Sequence, residues 1–248
     1  MDIDYRYGEL IQYCVDHIQQ LGLRKPYLQR SRVISVLAEH NVESWFLYAY
    51  DEWRSRWHIW RGILWVIKNI SRDGRVLETG CGCGWNLLWL AANGFTSLTG
   101  IDVDSDAIAA GNELAHEGNY SFHLRRGNAL RSDEYGNTPF HLILALNWTY
   151  HVPEFDLKLF LNNSAQHLVS NGVLMIDIID RSFDLHPKNR FLTSDWEKPE
   201  NLRRQSEYLH RYKHDEIQEI SESCGFRIVT FFSRQEVIPR VIYALARG

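Results

Sequence analysis

Residues 74–86 read GRVLETGCGCGWN, and no other stretch constrains the fold as strongly. Val76 and Leu77 close a short apolar run of the kind that forms a buried strand. Gly80, Gly82 and Gly84 follow on alternate positions, which suits a tight turn where a ligand must approach the backbone closely. Helical spacing of apolar residues resumes in NLLWLAANG, residues 86–94. Strand, glycine turn and helix make half of a βαβ unit, and amides at such a helix start can hold a polar or anionic ligand. A second strand-like run, SLTGID, ends on Asp102. A carboxylate at the tip of strand two, roughly 20 residues past the glycines, suits a ribose diol.

A dinucleotide and an S-adenosyl compound would both use these features, and glycine spacing separates them. The G-x-G-x-x-G fingerprint needs a third small residue where the helix packs closely. Counted from Gly80 that position is Trp85, and counted from Gly82 it is Leu87. The stretch E-T-G-C-G-C-G instead resembles motif I of the class I S-adenosylmethionine (SAM) dependent methyltransferases, in which an acid precedes G-x-G-x-G. IDVDSDAI (101–108) is similar to the second acidic motif of that family, and GNAL (127–130) to the segment before its adenine contact. HLILALNWTYHVP (141–153) is similar to its fourth strand and following loop, and NGVLMIDI (171–178) to its fifth strand. The likeness covers residues 70–180 and returns from Lys213 to Arg247. It implies an α/β, Rossmann-like fold with a seven-stranded, mostly parallel sheet in the order 3-2-1-4-5-7-6 and helices on both faces. It also implies an N-terminal helical lid, SAM as cofactor and S-adenosylhomocysteine (SAH) as product.

The 248 residues fit one domain. We expect a lid over 1–72, a SAM-binding core over 73–180, a substrate cap over 181–212, and a last helix and strand hairpin over 213–248. Helices are expected near 7–21, 29–40 and 43–69, the last carrying Trp45, Tyr48, Trp53, Trp57, Trp60 and Trp65. Most of these rings should pack in the core, and the resemblance gives one or two a place over the cofactor. Strands are expected at 76–78, 97–102, 121–125, 141–146 and 173–179, with helices at 85–93, 105–117 and 154–168. Residues 180–212 have no clean period and are rich in Arg, His, Trp and Tyr; so long an unpatterned stretch in a compact domain is often functional.

Net charge of −4 argues against a dedicated nucleic-acid binder. No apolar run approaches the ~18 residues of a membrane span, and MDIDYRYGEL lacks the apolar stretch of a secretory signal. Cys14, Cys81, Cys83 and Cys224 form no framework. They read as small residues in a reducing compartment, so a cytoplasmic protein without a metal site is expected. A small-molecule substrate is the expected partner, and the aromatic N-terminal helices leave a homodimer open.

Residue by residue, the resemblance assigns Glu78 to the SAM amino group, with Gly80, Cys81 and Gly82 in the turn beneath it. Asp102 falls to the ribose hydroxyls with Val103 beside it, while Asp104 is read as a helix cap. Asn128 stands where many relatives have Asp and would accept from the adenine amino group; Ala129 would offer its amide to the ring. Asn147 completes the cofactor set. NWTYHVPEF (147–155) follows strand four at the edge where open α/β sheets bind ligands. Asn147 and Tyr150 keep the ends of an N-P-P-Y motif without its prolines, whereas HVPE more fully resembles the H-V-P-D/E loop of small-molecule methyltransferases. His151 is the candidate general base, and Tyr150 the second catalytic candidate. Arg203, Arg204 and Tyr208 are the expected substrate contacts, since arginine's fork suits a carboxylate or phosphate. Together these point to methyl transfer onto an oxygen or nitrogen of a small anionic metabolite. Two alternatives stay open: the same chemistry on protein or nucleic acid, and a non-catalytic SAM-binding module that regulates a partner.

Overall fold

The computed structural model describes residues 24–42, 47, 56–186, 189–192, 195–206, 208–234 and 238–248. The helix expected at 7–21, most of 43–55 and the rings of Trp45, Tyr48 and Trp53 lie outside them. Helix α1 spans Arg30–Glu39 and α2 spans Trp57–Asn69. The alternation then runs β1 (Val76–Thr79), α3 (Trp85–Ala92), β2 (Leu98–Asp102), α4 (Ser105–Glu117) and β3 (His123–Arg126). It continues with β4 (Phe140–Ala145), α5 (Leu157–His167) and β5 (Leu168–Asp180), and ends with β6 (Arg211–Tyr212), α6 (His214–Ser223), β7 (Phe226–Arg234) and β8 (Arg240–Arg247).

The sheet order is β3-β2-β1-β4-β5-β8-β7. The first five strands are parallel, and β8 runs antiparallel between β5 and β7. This is the expected seven-strand order with one addition. The end of the insertion supplies β6, which pairs in parallel with Ile179 and Asp180. All four residues of β1 are buried, as a strand covered on both faces requires.

Alternation along the strands divides the core. Val76, Leu142, Leu144, Met175 and Ile242 face one way, onto Ile59, Ile63 and Val66 of α2 and Leu87 and Leu90 of α3. Leu77, Ile143, Leu174, Ile176 and Tyr243 face the other, onto Leu157, Phe160 and Leu161 of α5 and Ile217 of α6. Helix α1 lays Val33, Val36 and Leu37 against α4 and α3. Asp104 caps α4, its Oδ1 accepting from the Asp106 and Ala107 amides at 2.9 and 3.1 Å.

Several boundaries differ from expectation, and β5 begins at Leu168 rather than at 173. Helix α5 starts at Leu157 rather than Glu154, because Asp156 caps it by accepting from the Leu159 amide at 2.7 Å. Strand β3 starts at His123, two residues late, where pairing with Thr99 begins. No helix among the described residues is long and apolar enough to cross a membrane.

Candidate functional site

Strand β1 lies between β2 and β4, so the connections leaving its carboxyl end diverge there, and a crevice opens at that point. It is a cleft of about 180 Å³, whose wall includes Glu78, Gly80, Cys81, Gly82, Asp102 and Asn147. Glu78 ends up there because β1 is central and its last residues stop at the crevice. The carboxyl is only 1% exposed. Oε1 accepts from Asn86 Nδ2 at 2.5 Å, while Oε2 is buried with no hydrogen-bond partner. Burial raises its pKa to about 8, although Asn86 and Arg56 pull the other way. A buried carboxylate oxygen without a donor is costly, and a cationic or N–H-bearing ligand would relieve it.

The turn packs tightly against the loop after β4. Gly80 has φ +63°, and a Cβ there would lie 2.3 Å from Trp148 Cδ1. Its neighbours are held by the backbone: the Cys81 amide donates to Ile101 O at 3.1 Å and the Gly84 amide to Cys81 O at 2.8 Å. The Gly82 amide donates to Asp102 Oδ2 at 2.7 Å, and Asp104 N to Asp102 Oδ1 at 3.0 Å, which fixes the Asp102 carboxylate in the wall. Cys81 and Cys83 are buried thiols, and burial pushes both pKa values up. Cys14 lies outside the described residues.

Other expected contacts fall elsewhere. Val103 is 62% exposed and does not line the cleft. Asn128 and Ala129 are also off its wall. Asn128 Oδ1 accepts from the Leu130 amide at 2.9 Å, and its own amide donates to Glu134 Oε2 at 2.9 Å, so the side chain closes a local turn. Ala129 O accepts from Tyr135 Oη at 2.6 Å.

After β4 the chain enters Asn147 in the left-handed region, with φ 67°. Among non-glycine residues Asn tolerates that conformation best. Its Oδ1 accepts from Arg240 Nη2 at 2.5 Å. The same Nη2 also donates to Asp177 Oδ2, in an ion pair where Asp177 is fully buried and the Arg240 side chain 12% exposed. Burial alone would push the Asp177 carboxyl up; Arg240 and His58 more than offset this and hold it below the usual carboxylate range. His58 Nε2 of α2 lies 3.7 Å from Asp177 Oδ2. Thus α2, the loop after β4, β5 and β8 meet at one buried carboxylate.

This cluster changes the expected part of Tyr150. Its ring is 1% exposed and packs 4.8 Å from the Arg240 guanidinium, so it supports the loop from beneath rather than facing the cleft. Burial raises its phenol pKa well above the usual value. His151 is half-buried, its ring centroid 4.4 Å from Tyr150 and 5.4 Å from Tyr208. Tyr208 in turn meets Phe183, and the Leu209 amide donates to Tyr150 O at 2.8 Å, tying the insertion to this loop.

Arg203 and Arg204 do not line the cleft. Arg204 grips Asp195 through Nε at 2.7 Å and Nη2 at 2.9 Å. Arg203 Nε donates to Lys198 O at 2.7 Å, and its guanidinium lies over Trp196 and Phe191. Both are spent holding the insertion together. Hydrogen bonds from Arg204 and Lys198 hold the Asp195 carboxyl far below the usual range.

Four residues that carry the site were not anticipated: Arg56, Asn86, Asp177 and Arg240. Asp177 left a trace in the sequence, since a lone acid inside an otherwise apolar central strand needs a buried counter-charge. Arg56 left none.

A family model described as a methyltransferase domain matches residues 50–230. No curated protein matches the sequence significantly. Among solved structures, magnesium protoporphyrin IX methyltransferase from Synechocystis PCC 6803 with bound SAH superimposes with a TM-score of 0.63 at 15% identity, over 88% of this chain and 96% of that one. A SAM-dependent methyltransferase from Methanosarcina mazei gives 0.60 at 16% identity, over 73% and 96%. One from Clostridium acetobutylicum gives 0.60 at 17%, over 78% and 92%. At these identities the likeness establishes a shared fold.

Proposed function

Because the chain belongs to the methyltransferase-domain family, which its residues 50–230 match, we propose that it transfers the methyl group of SAM to an oxygen or nitrogen of a small molecule. SAM supplies a sulfonium-bound methyl carbon open to in-line displacement: the acceptor's lone pair forms the new bond, and the electrons of the breaking C–S bond stay on sulfur, giving SAH. The residues fit such a ligand. Glu78 offers a buried, unpartnered oxygen to an ammonium, Gly80 lets the turn pass close against Trp148 in the cleft wall, and Asp102 stands fixed for a diol. The Glu78 oxygen is the observation that carries this reading.

The chain's own contribution is alignment and exclusion of water. Asn147, pinned by Arg240, sets part of the cleft wall. For an acceptor that arrives protonated we assign His151 as general base, since it sits on the loop whose first residues, Asn147 and Trp148, line the cleft. The insertion packs Tyr208 on that loop and adds β6 to β5, and an edge covered in this way suits a small acceptor better than a folded protein or a duplex. A preference for anions drawn from Arg203 and Arg204 loses its basis, because both are engaged within the insertion.

Calorimetry with SAM, SAH and NAD tests the cofactor assignment: heat with the first two alone is expected, and no heat with either overturns it. A labelled-methyl screen against metabolite pools, nucleic acid and protein extracts then reads the acceptor class. Label confined to protein or nucleic acid would refute the small-molecule assignment.

A further inference from the structure

Resting on the reading of the cleft as a SAM site, we infer that Arg56 is the counter-charge for the cofactor's carboxylate, so that the cleft recognises both ends of a zwitterion. The charged residues lining the cleft, among those described, are Arg56, Glu78, Asp102 and Asp104: three acids and one cation. An amino-acid end must bring an ammonium and a carboxylate into this wall together. The ammonium has Glu78. A carboxylate beside three acids would be repelled unless a cation met it, and Arg56 is that cation.

Backbone donors offer little alternative. The Cys81, Gly82 and Gly84 amides already donate to Ile101 O, Asp102 Oδ2 and Cys81 O. At the start of α3 the Leu87 amide faces the Glu78 carboxyl. The turn therefore supplies little positive potential, and a guanidinium must add it.

Arg56 is also held in place. It immediately precedes α2, and its carbonyl accepts from the Trp60 amide at 3.0 Å as the helix opens. Two residues on, His58 is buried beside Asp177. The Arg56 side chain lines the cleft on one side and, on the other, an apolar hollow shared with Trp60 and Trp89. Those rings meet edge to face at 5.6 Å. The guanidinium is thus carried on a packed helix start, and the apolar wall behind it strengthens its attraction for a carboxylate.

The test compares ligands that differ in this one group. SAH carries the ammonium and the carboxylate; decarboxylated SAH, the adenosyl thiopropylamine, keeps the amine and the thioether and lacks the carboxylate. Titration calorimetry on full-length wild type and Arg56→Met should show SAH affinity falling by roughly 10- to 100-fold, the range of a charge-assisted hydrogen bond. Affinity for decarboxylated SAH should change by less than about threefold, and Arg56→Lys should recover part of the SAH loss. Equal losses for both ligands, or no loss for SAH, would overturn the inference while leaving the cofactor site standing. Wild-type protein that bound neither ligand would instead sink the reading of the cleft itself. If Arg56→Met does not fold, the ratio of the two affinities in Arg56→Lys decides: an unchanged ratio refutes the carboxylate contact.

Discussion

Replacing Arg240 by Met would leave the Asp177 carboxylate without its main counter-charge in a place that water does not reach. Asp177 is fully buried, and His58 at 3.7 Å is then the nearest remaining cation candidate. Breaking a buried pair by removing one partner costs about 3–5 kcal/mol. For a domain of this size each kcal/mol shifts Tm by roughly 2–4 °C, so Arg240→Met should melt about 6–20 °C lower. Adding Asp177→Asn removes the stranded charge, and the double variant should recover most of that loss.

The two cases also differ in sign with pH. In the wild type the Asp177 pKa is depressed, so its contribution is present above the unfolded-state value and lost as pH falls through the folded one. Without Arg240, burial raises that pKa above the unfolded value, so the variant loses stability as pH rises through the raised one. The melting gap should therefore be widest near neutral pH and narrow toward about pH 4, where an ordinary carboxyl becomes protonated. Thermal melts of wild type, both single variants and the double variant across that range provide the measurement. A double variant no more stable than Arg240→Met, or a gap independent of pH, would refute the stranded-charge account. The loss would then belong to guanidinium packing on Tyr150 and Asn147.

Other outcomes follow from the cleft. Asp102→Ala removes an anchored acceptor and should weaken SAH binding by about 10- to 100-fold in calorimetry; undiminished affinity would move the ribose elsewhere. With the Glu78 pKa raised to about 8, the acid must give up a proton when a cation binds beside it, so SAH affinity should rise up to tenfold per unit from about pH 6.5 to 8. A flat profile in wild type, or the same slope in Glu78→Gln, would exclude that coupling. Gly80→Ala should abolish SAH binding with little change in far-ultraviolet circular dichroism, because its Cβ meets the Trp148 ring. Arg204→Ala should leave SAH affinity unchanged while making the peptide around 190–206 easier to cleave by protease.

Much of the architecture could be read from the chain because it depends on local regularities. The alternate glycines and the apolar run before them fix β1, the turn and α3. Asn171 before Gly172 takes φ 60°, but the pair lies inside β5, where the register with β4 shifts, and not in a turn ahead of the strand. Glu78 and Asp102 lie where strand ends must meet the crevice, and their positions follow from register. What stayed hidden depends on partners far apart in sequence or on local turns without a pattern. Arg204 finds Asp195 inside an aperiodic segment, and Asn128 closes its own turn instead of facing outward. Tyr150 is drawn under the loop by an arginine on a strand ninety residues later. Arg56 precedes an aromatic helix whose spacing signals only packing.

Strand β8 separates Asp177 from its cation by 63 residues. On a ribosome, β1 to β5 emerge while that acid has only His58 beside it and lacks its guanidinium, and the antiparallel slot beside β5 is empty. A half-made chain therefore cannot bury Asp177 cheaply, and the loop bearing Asn147 has nothing to hold its left-handed turn. Competence for the cofactor should arise late and abruptly, when Arg240 reaches its slot, so translation intermediates would bind no nucleotide even with every glycine of the turn already in place.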